Sequence, residues 1–341
     1  MLTGASMGRA GFNRKTAYAT LTMLLAAEAA DCDVLWELKG PIATLQHHRG
    51  ITHSFLGAPF IAAATVFGVY LLHRWWLGKR KPRAGYPPVR WTLLYGLALL
   101  ASLSHLLLDY TTAYGVRLFE PFNYRWYSWD IVYIIEPVIL IALLLGLAVP
   151  ALLRLVNQEV GARSKGPGGR GGAIFALCCV IVVWGYRDFQ HRRALAAMSA
   201  ITYGGASASR VAAYPYMINP FRWHGVVETR DFLQTLPVSS SPAAVDPQNE
   251  ARTFYKPEET AVTRAAKESY FGRVYLDWAV FPTVETQKLE GDPNGYLVDF
   301  VDLRYDYPEH TALAGFAFLS PTLHVEAQGM NSARPAWLLK R

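Results

Sequence analysis

The chain is poor in charge and in cysteine. Only 17% of its 341 residues are Asp, Glu, Lys or Arg, while 52% are hydrophobic. That balance argues against a wholly soluble protein and toward one seated partly in a membrane. Its three cysteines, Cys32, Cys178 and Cys179, include an adjacent pair inside an apolar run, where a mutual bridge would be strained. Neither a disulfide framework nor a CxxC metal pair is present, and no internal repeat is visible. The net charge of +7 is clumped between apolar runs and forms no basic stripe. A nucleic-acid partner is therefore not expected.

What the chain has instead is apolar runs of bilayer length: residues 54–72, 91–108, 131–153 and 171–186, with a shorter fifth at 16–30. The fifth follows a basic lead and carries Ala-x-Ala at 27–29, as a cleaved signal peptide would. The acidic residues that follow favour a retained helix. Residues 1–15, 73–90 and 154–170 together carry thirteen Lys and Arg, whereas 31–53 and 109–130 carry four. The positive-inside rule puts the N-terminus and both basic linkers in the cytoplasm, and residues beyond about 187 outside. There, RVYLDWAV (273–280), GYLVDFV (295–301) and TALAGFAFL (311–319) read as strands, and 237–260 as a polar loop. The expected architecture is an α-helical polytopic membrane bundle of about five spans over residues 1–186. A smaller C-terminal β-rich extramembrane domain follows over residues 187–341.

The ionisable residues of the spans gather at one end, the outer one by this orientation. Glu28, Asp31 and Asp33 follow the first run; His47, His48 and His53 precede the second; His105 and Asp109 close the third; Glu136 opens the fourth. Ionisable groups at membrane depth are costly and point to function. His105 and Asp109 are four apart and share a helix face. An extended Asp31-x-Asp33 would project both carboxylates to one side. Mixed His and Asp ligands suit Zn²⁺ first, with Mn²⁺ or Fe²⁺ next, over the all-oxygen shells of Mg²⁺ or Ca²⁺. Taken singly, each has a plainer reading: a helix-end charge, an interfacial loop, Thr52 as a helix cap. Their coincidence at one face favours a metal site.

AAEAADCD (26–33), HRGITHS (48–54), HLLLDYTTAYG (105–115) and SWDIVYIIEP (128–137) resemble the bacterial membrane-bound metal-dependent hydrolase family, which includes YdjM-like inner-membrane proteins. The family pattern runs roughly P-D-x-D, H-R-G-x-T-H-S and H-x-x-x-D-x-x-T-x-Y-G, and the similarity covers about residues 1–225. Ala30 stands in place of the family's proline, and Glu136 where many members carry Asp. Members often begin T-H-x-L-T-G-A whereas this chain begins MLTGA, so that histidine would fall just ahead of Met1.

The resemblance implies a hydrolase of the bacterial inner membrane in which a metal-activated water attacks an ester or phosphoester, a lipid included. Asp33, His53, His105 and Asp109 are the leading metal ligands, with His48 and Asp31 next. Arg49 is expected to clamp an anionic oxygen and Glu136 or Asp31 to act as general base. The expected partners are the lipid bilayer and a small amphiphilic or phosphoester substrate; no feature signals an oligomeric state. The rivals are a metal-ion transporter, disfavoured because no ionisable ladder crosses the spans, and a non-catalytic scaffold with Arg222, Trp223 and His224 as outer anchors.

Overall fold

The computed structural model describes residues 1–79, 87–159, 168–291, 294–308 and 310–335. Parts of both basic linkers, 80–86 and 160–167, lie outside the described residues. The chain divides into two compact units: Met1–Asp33 with Arg49–Asp188, and Val34–His48 with Phe189–Arg341.

The first unit is helical. It contains α1 (Leu2–Arg9) and α2 (Ala19–Ala26); α3 (Pro41–His47) belongs to the second unit. Then come α4 (Gly57–Trp75), α5 (Trp91–Tyr110), α6 (Pro137–Glu159) and α7 (Arg170–Ser199), the last running on into the second unit. These four long helices have the length and composition to cross a membrane. At 1.5 Å per residue, twenty residues span about 30 Å, the thickness of a hydrocarbon core. Their outer surfaces keep Phe60, Phe67, Ile141, Leu145, Phe175 and Val182 exposed, a belt that suits lipid and not water.

The expected first span over 16–30 is different. Only Ala19–Ala26 forms an α-helix, about 12 Å long at that rise and too short to cross. It lies buried, with Met23, Ala26 and Ala27 packed on Ala62, Leu94, Leu97, Ala98 and Ala101. Nor is 1–15 a simple basic lead. α1 packs against α2, α5 and α6, and the Met1 amino group pairs with Glu28 at 2.6 Å. Gly4 and Gly8 make that contact possible. A Cβ on Gly4 would stand 2.1 Å from the Met23 carbonyl oxygen, and one on Gly8 2.6 Å from Thr20 Cα. Small-xxx-small spacing is the usual device for close helix approach in lipid. Gly146 and Gly172 repeat it between α6 and α7.

The second unit is β-rich. One antiparallel sheet orders β1 (Arg210–Pro215), β2 (Arg222–Glu228), β3 (Phe232–Ser240) and β4 (Ala243–Val245), with β5 (Arg252–Tyr255) also on β3. α8 (Ala261–Glu268) and α9 (Tyr270–Trp278) come next. A second antiparallel sheet contains β6 (Pro282–Leu289) and β7 (Gly295–Asp302); β8 (Asp306–Tyr307) pairs with β9 (His310–Thr311) alone; β10 (Gly315–Leu319) and β11 (Val325–Met330) complete the second sheet, ordered β11-β10-β7-β6. Residues 295–301 are a strand as expected, and 315–319 hold the strand expected within 311–319. RVYLDWAV is mostly α9: Phe271, Val274, Tyr275 and Trp278 are the buried set, at helical spacing, and Ser269 caps the helix by accepting from Gly272 N–H. The supposed loop 237–260 contains the end of β3 and all of β4 and β5. Trp223 and His224 are core residues, fully or nearly buried, and the His224 ring nitrogen meets the Leu303 carbonyl at 2.8 Å. As surface anchors they are excluded.

Gly4→Val should force α1 off α2 at a cost of about 1–3 kcal/mol, read as a lower melting temperature in detergent. Gly68→Val, where a Cβ meets nothing within 4 Å, should leave it unchanged. Equal effects at both positions would rule out close approach as the reason for Gly4.

Candidate metal centre

Asp31 and Asp33 lie in a 3₁₀ segment, Ala29–Lys39, not in an extended strand. With three residues per turn, side chains two apart point in different directions. The two carboxylates therefore reach opposite sides of one imidazole. Asp33 Oδ2 is 3.2 Å from His53 Nδ1, and Asp31 Oδ1 is 3.3 Å from His53 Nε2. A carboxylate only accepts, so a neutral His53 can donate to one of the two aspartates and an imidazolium to both. This is the carboxylate–histidine arrangement that fixes tautomer and ring orientation in metal sites. Thr52 supports it, with Oγ1 3.0 Å from His53 Nδ1 and donating to Asp33. Thr52 is therefore not the cap of the next helix, whose N-cap position is Leu56; the Ser54 hydroxyl accepts from Gly57 N–H at its first residue.

His105 and Asp109 arrive one turn apart from the end of α5. His105 Nε2 lies 3.1 Å from His53 Nε2, 3.5 Å from Asp31 Oδ1 and 3.3 Å from Asp109 Oδ2. Asp109 Oδ2 is 3.4 Å from His53 Nε2. Four atoms thus converge from Asp31, His53, His105 and Asp109. Ligands about 2.0–2.1 Å from a common tetrahedral centre stand about 3.3 Å apart, and the five separations just given cluster around that value. Asp109 Oδ2 is buried with no hydrogen-bond partner, an orphan that a cation would satisfy. Asp31, His53 and His105 by themselves offer ligand atoms all within 4.8 Å of one another. The donor set, two imidazoles and two carboxylates, fits a divalent cation of the zinc type.

The other expected residues stand elsewhere. Arg49 is not poised as an anion clamp: Nη2 is 3.0 Å from Asp109 Oδ1 and Nη1 donates to Thr112 Oγ1 at 3.0 Å, with the guanidinium stacked on Tyr114. It holds Asp109 in place. Glu136 is committed to Arg187 at 2.7 Å, both side chains buried, a pair that ties the start of α6 to α7 and takes Glu136 out of the general-base role. His48 closes α3 and belongs to the second unit; His47 stacks on Trp36. Thr112, Tyr114 and Arg187 were not singled out from sequence, although Thr112 and Tyr114 are the T and Y of the H-x-x-x-D-x-x-T-x-Y-G pattern.

A family model described as YdjM inner membrane protein matches residues 1–194. The chain belongs to that family. The match covers α1 through most of α7 and every residue of the cluster. The uncharacterized protein YfhP of Bacillus subtilis (strain 168) is 27% identical over 140 residues, 41% of this chain and 39% of that protein. The alignment thus spans about two-fifths of that relative's length. No solved structure matches.

Burial works against the imidazolium of His53, but contacts with Asp31, Asp33 and Asp109 outweigh it and raise the pKa above the usual value of 6.5. Burial also opposes ionisation of Asp31, and hydrogen bonds from His105 and His53 overcome it, holding the carboxyl well below its usual range. A raised folded pKa means that His53 stabilises the metal-free protein fully below pH 6.5, and that this contribution is lost as pH climbs through the folded value. A cation would compete for the same nitrogen, so its affinity would climb over that range. With rising pH, the melting temperature of chelator-treated protein should fall while calorimetric cation affinity rises. Parallel trends would show that proton and cation do not share His53.

Proposed function

We propose that this protein is a metal-dependent hydrolase of the inner membrane, holding one divalent cation through Asp31, His53, His105 and Asp109. The observation that carries the reading is the convergence of those four atoms around the orphaned Asp109 oxygen. Zn²⁺ is the leading cation, and Mn²⁺ or Fe²⁺ suit the same donors. A cation there would supply Lewis acidity, lowering the pKa of a water and polarising an ester or phosphoester oxygen.

The chain's own groups divide the remaining work. Asp33 orients His53, and Arg49 orients Asp109. Asp31 is the ligand whose side chain is 40% exposed, against 0% for His53 and 12% for His105 and Asp109. Substrate and water would approach past Asp31, the exposed side of the ligand set. The thirteen-to-four bias in Lys and Arg supports placing this end of the bundle at the extracytoplasmic face. The loops beside the cluster carry exposed aromatics: Phe55 follows the His53 turn and packs edge-on against Phe119, and Phe122 is 84% exposed. Aromatic rings at the headgroup level suit an amphiphilic ester or phosphoester substrate.

Purified protein should carry about one equivalent of cation by elemental analysis and hydrolyse a phosphoester or lipid ester from a substrate panel. His105→Ala should abolish both, and Asp33→Asn should weaken cation affinity about 10–100-fold through loss of His53 orientation. Cation-loaded protein that moves the ion across vesicles without hydrolysing anything would replace this reading with transport. Glu136→Gln provides the contrast: it removes the carboxylate charge 2.7 Å from the buried Arg187 and should lower stability by about 3–5 kcal/mol, yet keep the cation. Loss of cation from Glu136→Gln would place that residue at the centre after all.

A further inference from the structure

The first unit holds a second site at the far ends of the helices that carry the metal cluster. A cavity of ≈ 750 Å³ is bounded by the end of α1, the start of α2, the end of α4, the approach to α5 and the stretch around Pro150. α4 begins at Gly57, near the His53 turn, and reaches the cavity wall at His73, about 24 Å further along at 1.5 Å per residue. The two sites are therefore separate.

The lining has two chemistries. Arg9, Arg154 and His73 contribute basic groups, and Leu21, Leu77, Val89, Pro88 and Pro150 an apolar wall. Among the described residues no Asp or Glu lines it. Arg9 Nη1 donates to the Leu147 carbonyl at 3.1 Å, which fixes the side chain without neutralising it. Tyr18 and His73 are joined by a 3.1 Å hydrogen bond between Tyr18 Oη and His73 Nδ1, and the His73 ring packs edge-on against Trp91. The site thus has anchored walls, with positive charge where the helices end.

We infer that this cavity binds one anionic phospholipid from the leaflet it faces, its phosphate between Arg9 and Arg154 and an acyl chain along Leu21, Leu77 and Val89. Guanidinium forks match phosphate oxygens in pairs. Basic pockets between spanning helices select anionic headgroups, and flanking polybasic segments such as Arg74, Lys79 and Arg90 draw that class of lipid to the surface. A cavity of this volume with an apolar wall far exceeds the needs of free phosphate. The lipid would bridge α1 and α2 to α4 and α6 from the end opposite the metal cluster.

The test uses full-length protein stripped of lipid in a maltoside detergent, then titrated with phosphatidylglycerol or phosphatidylcholine of identical acyl chains and read by native mass spectrometry. The expected result is a single phosphatidylglycerol adduct at least fivefold preferred over phosphatidylcholine. The preference disappears in Arg9→Gln/Arg154→Gln. Leu21→Trp, which fills the cavity with both arginines intact, removes the adduct altogether and carries the test alone if the double variant does not fold. Equal retention of the two lipids, or an adduct that survives Leu21→Trp, overturns the proposal. So does displacement of phosphatidylglycerol by millimolar inorganic phosphate, which would mark a small-anion site instead.

Discussion

The contact between the Arg49 guanidinium and the buried Asp109 carboxylate is the constraint on which the candidate metal site rests. Asp109 sits in the last turn of α5, where the helix dipole disfavours an anion. Arg49 offsets that, and is itself held by several neighbours. Its side chain meets Asp109, Thr112 and Gly115 and lies over Tyr114, while its backbone N–H donates to Asp33 and its carbonyl accepts from Arg117 N–H. The grip is tight enough to hold Arg49 at a φ of 55°, a left-handed conformation that costs a non-glycine residue about 1–2 kcal/mol. The turn before His53 and the loop after Asp109 are thus one object. The Thr, Tyr and Gly that follow His-x-x-x-Asp all serve an arginine far away in sequence.

Around that strut the imidazole of His53 acts as a pivot. One carboxylate holds its Nδ1 and another faces its Nε2, and both come from a single 3₁₀ turn. Had Asp31-Cys32-Asp33 been extended, the two carboxylates would have shared a side and His53 would have been oriented from one direction only. The tighter helix makes one aspartate an orienting group and the other a partner for a cation. Because Asp31 is also the half-exposed member, a structurally rigid half of the site, His53, His105 and Asp109, faces a half open to solvent.

What could be read from sequence follows from what each interaction requires. Long apolar helices announce themselves by length and composition, so α4 to α7 were visible, as was the gathering of acids and imidazoles at one end. α1 was not, because an eight-residue helix sealed by Gly4 and Gly8 leaves no long apolar run, and α2 was visible only as an overlong candidate span at 16–30. The roles of Asp31 and Asp33 depended on a 3₁₀ turn that alternation cannot reveal. Glu136 read as a free carboxylate because its partner Arg187 is distant in sequence, and burial pairs are set by packing. RVYLDWAV alternates like a strand, yet the spacing of Phe271, Val274, Tyr275 and Trp278 was helical all along. The wider window held the decisive pattern, and the narrower one misled.

Charge counting completes the argument about the cluster. Asp31, Asp33 and Asp109 bring three negative charges to a site that is mostly buried, and Arg49 returns one. With neutral imidazoles the remainder is −2, which a low-dielectric setting does not tolerate unpaired. Two routes restore neutrality: protons on both imidazoles, or one divalent cation with both imidazoles neutral. The first sets two cationic rings with Nε2 atoms 3.1 Å apart, a like-charge contact in poor solvent. The second uses the same lone pairs as ligands and satisfies the orphaned Asp109 oxygen at the same time. A doubly charged centre would cancel the carboxylate surplus and use the facing imidazoles at the same time.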